Sequence, residues 1–229
     1  MKSLLLAAIC SLFIAPAFTQ SLSKITLSDN GSIETIAFEI EPNVMLIVSE
    51  TGNVVRWGED VYRQNGVENF EMKLKDYMGR TEYYTATDDK AYAGKVKYLG
   101  RLQLTYYASY DIESLRGKLK SIGSLNLKYY ENFEDEAVRG KLKQIGTSDV
   151  TWYTSFDNAA LRGKLRSIGS TQITFYTNGD DKAFAGKVKS IGGSTITYYS
   201  SFDRQEYRGR MKSGSQIQQL NGVKFFVRN

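Results

Sequence analysis

The chain has 229 residues, with 30 Lys/Arg, 25 Asp/Glu, two prolines, one cysteine and no histidine. A formal net charge of +5 with both signs interleaved is far from the dense basic stripe of a nucleic-acid binder. Without His, and with Cys10 alone, the chain cannot assemble a Ser–His–Asp site or a His-rich transition-metal centre.

Residues 1–19 have the form of a secretory signal. Lys2 is the charged start, Leu4 to Ile14 is an apolar run broken only by Ser11, and Ala15-Pro16-Ala17 supplies small residues before Thr19 and Gln20. The run is too short to span a membrane, and no later segment approaches that length. The expectation is an exported protein (periplasm, cell surface or extracellular medium) that is not transmembrane. Cleavage would remove Lys2 and Cys10, leaving 29 basic against 25 acidic residues, a net +4, and no cysteine. An exported chain without disulfides must be held by packing and sheet hydrogen bonds.

Residues 20–79 carry faint copies of a pattern that becomes regular further on. Asp29-Asn30-Gly31 and Glu50-Thr51-Gly52-Asn53 are hairpin-turn signals, and Lys73 to Gly79 is a degenerate unit. This stretch is expected to be a divergent N-terminal cap of an array.

The array itself fills residues 80–213. Gly94, Gly117, Gly140, Gly163, Gly186 and Gly209 are each 23 residues apart and open a motif Gly-Lys-apolar-Lys-x-Ile/Leu-Gly. Counting from that glycine, positions 2 and 4 are basic and positions 3, 6 and 11 apolar. Position 13 is aromatic, position 18 acidic and position 23 usually Arg. Position 14 is Tyr in every complete unit: Tyr107, Tyr130, Tyr153, Tyr176 and Tyr199. Residues 214–229 leave the pattern and end on Val223 to Val227, a last, capping strand.

Each unit reads as two short strands, positions 2–6 and 11–14, around a Gly turn at position 7. Positions 15–23 form a longer link with the outline of one capped turn or a plain loop. The fold class is therefore all-β: tandem hairpins in an elongated, twisted antiparallel meander, with a β-helix as the alternative. In a β-helix the equivalent lysines would stand one strand apart, ~4.8 Å; in a meander they are two strands apart, which eases repulsion. Positions 3 and 6 are both apolar although three apart, so a regular strand would split them between faces; a bulge at position 5 or two covered faces would reconcile them.

No catalytic constellation is visible. The paired acids Asp88-Asp89, Asp180-Asp181 and Glu134-Asp135-Glu136 recur with the unit, and no Gly-Asp-rich calcium loop accompanies them. No enzyme activity, cofactor or metal is expected. The position 14 tyrosines are the candidate ligand-binding residues; the competing reading is packing over the lysine stems. Adjacent aromatics at 13 and 14 should face opposite ways along a strand.

Units such as Gly163-Lys164-Leu165-Arg166-Ser167-Ile168-Gly169 followed by Ile173-Thr174-Phe175-Tyr176 resemble tandem repeats of secreted bacterial β proteins without assigned activity. MORN repeats and the YD repeats of RHS-type toxins are architectural analogies; the Tyr-x-Gly-x-Trp core of the first is missing, and Phe156-Asp157 lies too far before Gly163 for the second. The resemblance implies no mechanism; the residues themselves lead to the expectation of a non-catalytic structural or binding surface in the cell envelope, with a carbohydrate-binding module on the Tyr column as alternative and an exported hydrolase as second alternative. The expected partner is a glycan or an envelope protein, with self-association through sheet edges.

Overall fold

In the computed structural model, residues 19–28, 30–61 and 73–228 are described. All but the last residue of the expected signal, and residues 62–72 of the expected cap, lie outside them.

The array forms one antiparallel meander. Its strands are β5 (Thr81–Tyr83), β6 (Val96–Leu99), β7 (Leu102–Tyr106), β8 (Leu119–Ile122), β9 (Leu125–Tyr129), β10 (Leu142–Ile145), β11 (Ser148–Trp152), β12 (Leu165–Ile168), β13 (Thr171–Phe175), β14 (Val188–Ile191) and β15 (Ser194–Thr195). They are hydrogen-bonded in chain order as an 11-stranded sheet. After a break at Ile196, β16 (Thr197–Tyr198) pairs with β17 (Met211–Ser213). Within a unit the strands close a two-residue loop, as in Ile145↔Ser148. Its first residue, Gly146, has φ +59°, the requirement of a II′-type turn.

The register explains the apolar pair three apart. Leu104 faces Ile122 and Thr105 faces Ser121, but Tyr106 faces Leu119, so Lys120 is an extra residue. The same shift recurs between β9 and β10, β11 and β12, and β13 and β14. The bulge sits at position 4, one residue before the expected place. It turns the basic side chain outward and returns positions 3 and 6 to the face that carries 11 and 13. Leu119, Ile122, Leu127 and Tyr129 are accordingly all buried. On the other face, Thr105 pairs with Ser121, Thr151 with Ser167 and Thr174 with Ser190 through hydroxyl hydrogen bonds of 2.6–2.7 Å.

The terminal segments do not extend this meander in line. They build a second sheet from β1 (Ser21–Leu27), β2 (Ile33–Glu41), β3 (Val44–Val48), β4 (Val54–Glu59), β18 (Ile217–Leu220) and β19 (Val223–Val227), in the order β18-β19-β1-β2-β3-β4. β1 and β19 pair in parallel, Ile25 opposite Phe225, so the two ends of the described chain lie side by side. Ile25, Leu27, Ile36, Phe38, Ile40, Leu46 and Phe225 join positions 3, 6, 11 and 13 of the array in one buried core. The architecture is a two-layer β-sandwich with the terminal sheet as a lid over the apolar face of the meander.

The lid is also fastened by polar contacts. The β3–β4 turn straddles two units: Leu119 N donates to Gly52 O and Leu142 N to Glu50 O, both at 2.9 Å. Lys141 Nζ adds an ion pair to Glu50 at 3.0 Å. Both amides belong to position 3, the residue just before the bulge. Gly52 (φ +83°) rests on Tyr129 and Gly31 (φ +79°) on Phe175. A Cβ at either glycine would lie 2.2–2.3 Å from the phenol oxygen or a ring carbon below it.

Candidate binding surface

The sequence-derived candidates, Tyr107, Tyr130, Tyr153, Tyr176 and Tyr199, lie one residue beyond the ends of their strands. There the alternation of the pleat no longer applies. Their rings are half-buried, and the first four pack against the same core as the position 13 aromatics. The two aromatic columns, expected on opposite faces, touch: Tyr107 meets Tyr129 and Tyr153 meets Phe175 edge-on, with centroids about 6 Å apart.

The polar ends of both columns are committed to backbone. Tyr107, Tyr130, Tyr153 and Tyr176 donate their hydroxyls to the position 11 carbonyl of the next unit, at 3.0–3.2 Å. At position 13, Tyr106, Tyr129 and Trp152 donate to the position 3 carbonyl of their own unit. Burial raises the phenol pKa at Tyr107, Tyr130, Tyr153 and Tyr176, and well above its usual value at Tyr129.

Both basic columns cover these rings. The position 4 cations Lys120, Lys143, Arg166, Lys189 and Lys212 sit 5.1–5.5 Å from the centroids of Tyr107, Tyr130, Tyr153, Tyr176 and Tyr199. The position 2 lysines lie over position 13, as Lys141 does over Trp152 at 4.6 Å. Lys95, Lys118, Lys141 and Lys164 also donate to the opening glycine carbonyl of the next unit. Desolvation lowers the pKa of Lys95, Lys118 and Lys164.

The acids of the links are likewise engaged. At position 18, Asp111, Asp157, Asp180 and Asp203 accept the position 15 amide of their own loop. At position 19, Asp135 and Asp181 accept the amide two residues on, capping one short turn. The same two carboxylates accept from Ser155 and Ser201 of the following loop, which laces neighbouring loops together. These hydrogen bonds lower the pKa of Asp135 and Asp181. Among the described residues, no three His, Cys, Asp or Glu are grouped to hold a metal ion.

A repeated aromatic column remains open to solvent. Position 17 is Tyr110, Phe133, Phe156 and Phe202, between 83% and 95% exposed, with Gly179 at the skipped step. Each stands at a loop tip beside an Arg at position 23. The guanidinium Nε of Arg116, Arg139, Arg162 and Arg208 donates to the position 18 carbonyl at 2.9–3.2 Å. Sequence reasoning passed over this column because Thr87 and Gly179 interrupt it. Its signal was an aromatic immediately before the position 18 acid in four units.

Between the sheets, a cleft of about 710 Å³ is lined by Leu22, Leu125, Ile145, Ile168, Val223 and Phe225, with Gln20, Ser148, Thr171 and Asn221 among its uncharged polar groups. None of its described lining residues is an acid or a base. No protein-family model, curated protein or solved structure matches this chain.

Proposed function

We propose that this chain is an exported, non-catalytic β protein that presents a repeated binding surface in the cell envelope or outside it. The observation that carries the reading is the division of labour among its columns. Lysines, tyrosines and link acids at the inner positions hold the sheet and loops together, while the position 17 aromatics take no part in the core. Among the paired acids, Asp88, Asp89, Asp135, Asp180 and Asp181 have lowered pKa values, the opposite of what a proton donor near neutral pH needs. The apolar start of the chain supports export.

The test is to produce the full-length chain in a bacterial host, fractionate the cells and measure the intact mass. The expected result is recovery from the periplasm, envelope or medium with about the first 19 residues removed. A full-length cytoplasmic product, or turnover of polysaccharide, ester or peptide substrates by the purified protein, overturns the reading.

A further inference from the structure

We infer that the row Tyr110, Phe133, Phe156 and Phe202, with its arginines, is a binding track for an extended, uncharged β-linked polysaccharide. The inference rests on the binding-surface reading above and names its ligand class.

Four observations carry it. First, each of these rings is more than four-fifths exposed, although Phe and Tyr usually bury most of their surface. Second, aromatic and arginine come and go together. Tyr110, Phe133, Phe156 and Phe202 accompany Arg116, Arg139, Arg162 and Arg208, whereas Thr87 and Gly179 accompany Ala93 and Ala185. An arginine that served only its own loop would have no reason to vanish with the aromatic, since Thr177 to Gly186 folds the same turn without it. Third, the loop tips are evenly spaced and braced, with the aromatic missing at the Gly179 tip. Successive tips stand two strands apart, roughly 9.6 Å, a step comparable to the disaccharide repeat of an extended β-1,4-linked pyranose chain. The Asp135–Ser155 and Asp181–Ser201 bonds hold adjacent loops in that spacing. Fourth, the four loops 108–116, 131–139, 154–162 and 200–208 together hold nine acids and five arginines.

The chemistry follows from these. The electron-rich face of an aromatic ring attracts the electropositive axial C–H face of a pyranose. Arginine and carboxylate groups beside each ring supply donors and acceptors for the equatorial hydroxyls. These acids are matched by the arginines together with the position 4 cations Lys120, Lys143, Arg166 and Lys212, Glu134 pairing with Lys143 at 2.7 Å, so the row offers no net charge to an anionic polymer or an anionic lipid headgroup. Adjacent strands also twist by roughly 20–25°. A flat bilayer would therefore meet only neighbouring tips, whereas a polymer chain winds along all of them.

Gly179 provides a gain-of-function test. It has a φ outside the left-handed region, and the nearest atom to a Cβ built there is Thr177 Oγ1 at 3.6 Å, so a side chain fits. The purified mature protein is to be tested by retention on cellulose and chitin, by affinity electrophoresis in soluble β-glucan and xylan, and by co-sedimentation with phosphatidylcholine and phosphatidylglycerol vesicles. Retention on at least one uncharged β-glycan is expected. Replacing all four aromatics by Ser weakens it about tenfold or more with the melting temperature unchanged, and Gly179→Phe with Ala185→Arg strengthens it severalfold.

Three outcomes overturn the inference. One is binding to vesicles that the four-Ser variant loses, which makes the row a membrane contact. Another is glycan binding that the four-Ser variant keeps, which leaves a glycan-binding protein with a different site. The third is no retention on any glycan; if export holds, this removes the ligand class while the binding-surface reading stands.

Discussion

Replacing Gly52 by Ala tests how the lid is seated. The residue has φ +83°, so any L side chain there incurs left-handed strain of about 1–2 kcal/mol. Its Cβ would also stand 2.2 Å from the Tyr129 hydroxyl oxygen and 2.5 Å from two ring carbons. Tyr129 is 3% exposed and cannot swing into solvent, so the clash is relieved only by moving the ring or lifting the turn. Moving the ring breaks the 2.6 Å bond from the Tyr129 hydroxyl to Leu119 O, a buried loss of about 1–3 kcal/mol. Lifting the turn breaks the Leu119 N to Gly52 O bond instead, at a similar cost. Gly222 isolates the strain, because its φ is +80° and nothing lies within 4 Å of its Cβ position. Gly52→Ala is therefore expected to lose about 1–3 kcal/mol more than Gly222→Ala in equilibrium urea unfolding. With m near 3 kcal/mol/M, that separates the midpoints by roughly 0.3–1 M. In a Tyr129→Ala background the excess should disappear, as expected of residues in contact. Equal losses for the two glycine variants in the native background would refute this account of lid docking.

Trp152→Phe keeps the ring packing but strands the Leu142 carbonyl, which now accepts the indole N–H at 2.6 Å. A loss of about 1–3 kcal/mol in urea unfolding is expected; an unchanged midpoint would show that carbonyl to be satisfied elsewhere. In alkali, Tyr106, Tyr107, Tyr129 and Tyr130 have folded pKa values raised above the unfolded value near 10. Their contribution is complete below pH about 10 and is lost as pH climbs through the raised values. The lowered Lys95, Lys118 and Lys164 act in the opposite sense, adding stability as pH rises, while the large upward shifts at Tyr106 and Tyr129 set the net direction. Melting temperature should fall above pH about 10 together with late, cooperative tyrosinate absorbance; simple titration near 10 in a protein that stays folded would contradict this. In acid the sign reverses. Asp135 and Asp181 have lowered pKa values, so their stabilisation is present above the unfolded value of 3.8 and lost as pH falls below it. Asp181→Ala should accelerate hydrogen exchange at Ala183 and Ser201 while the strands stay protected; unchanged exchange at both amides would remove the lacing role.

Much of the meander was legible in the sequence. The 23-residue step, the Gly turn and the apolar content of positions 3, 6, 11 and 13 each follow from short-range physics. The bulge was legible only as a contradiction between the spacing of 3 and 6 and the pleat; its place at Lys120 depends on cross-strand register, which one strand does not encode. The lid was hidden for a different reason. Hairpin signals at Gly31 and Gly52 look alike whether a hairpin extends a sheet or lies over it, and the choice is made by Phe38 and Leu46 sharing one buried core with Leu119 and Tyr129. The tyrosines at position 14 drew attention by constancy, but constancy there reflects a repeated hydroxyl-to-carbonyl bond. The exposed row is less regular, broken at Thr87 and Gly179, and so stood out less than the structural columns around it.

The parallel pairing of β1 with β19 sets a limit on growth. Open repeat arrays can gain or lose a unit because each touches only its neighbours. Here the first and last described strands are joined above the meander, and the lid has six strands among the described residues whatever lies beneath it. Duplicating one 23-residue unit would widen the lower layer by roughly 9.6 Å and leave a fresh set of position 3, 6, 11 and 13 side chains without cover. Deleting one would pull Gly31 and Gly52 off the rings they rest on. The number of units is thus measured against a fixed template within the same chain, and with it the length of the aromatic row.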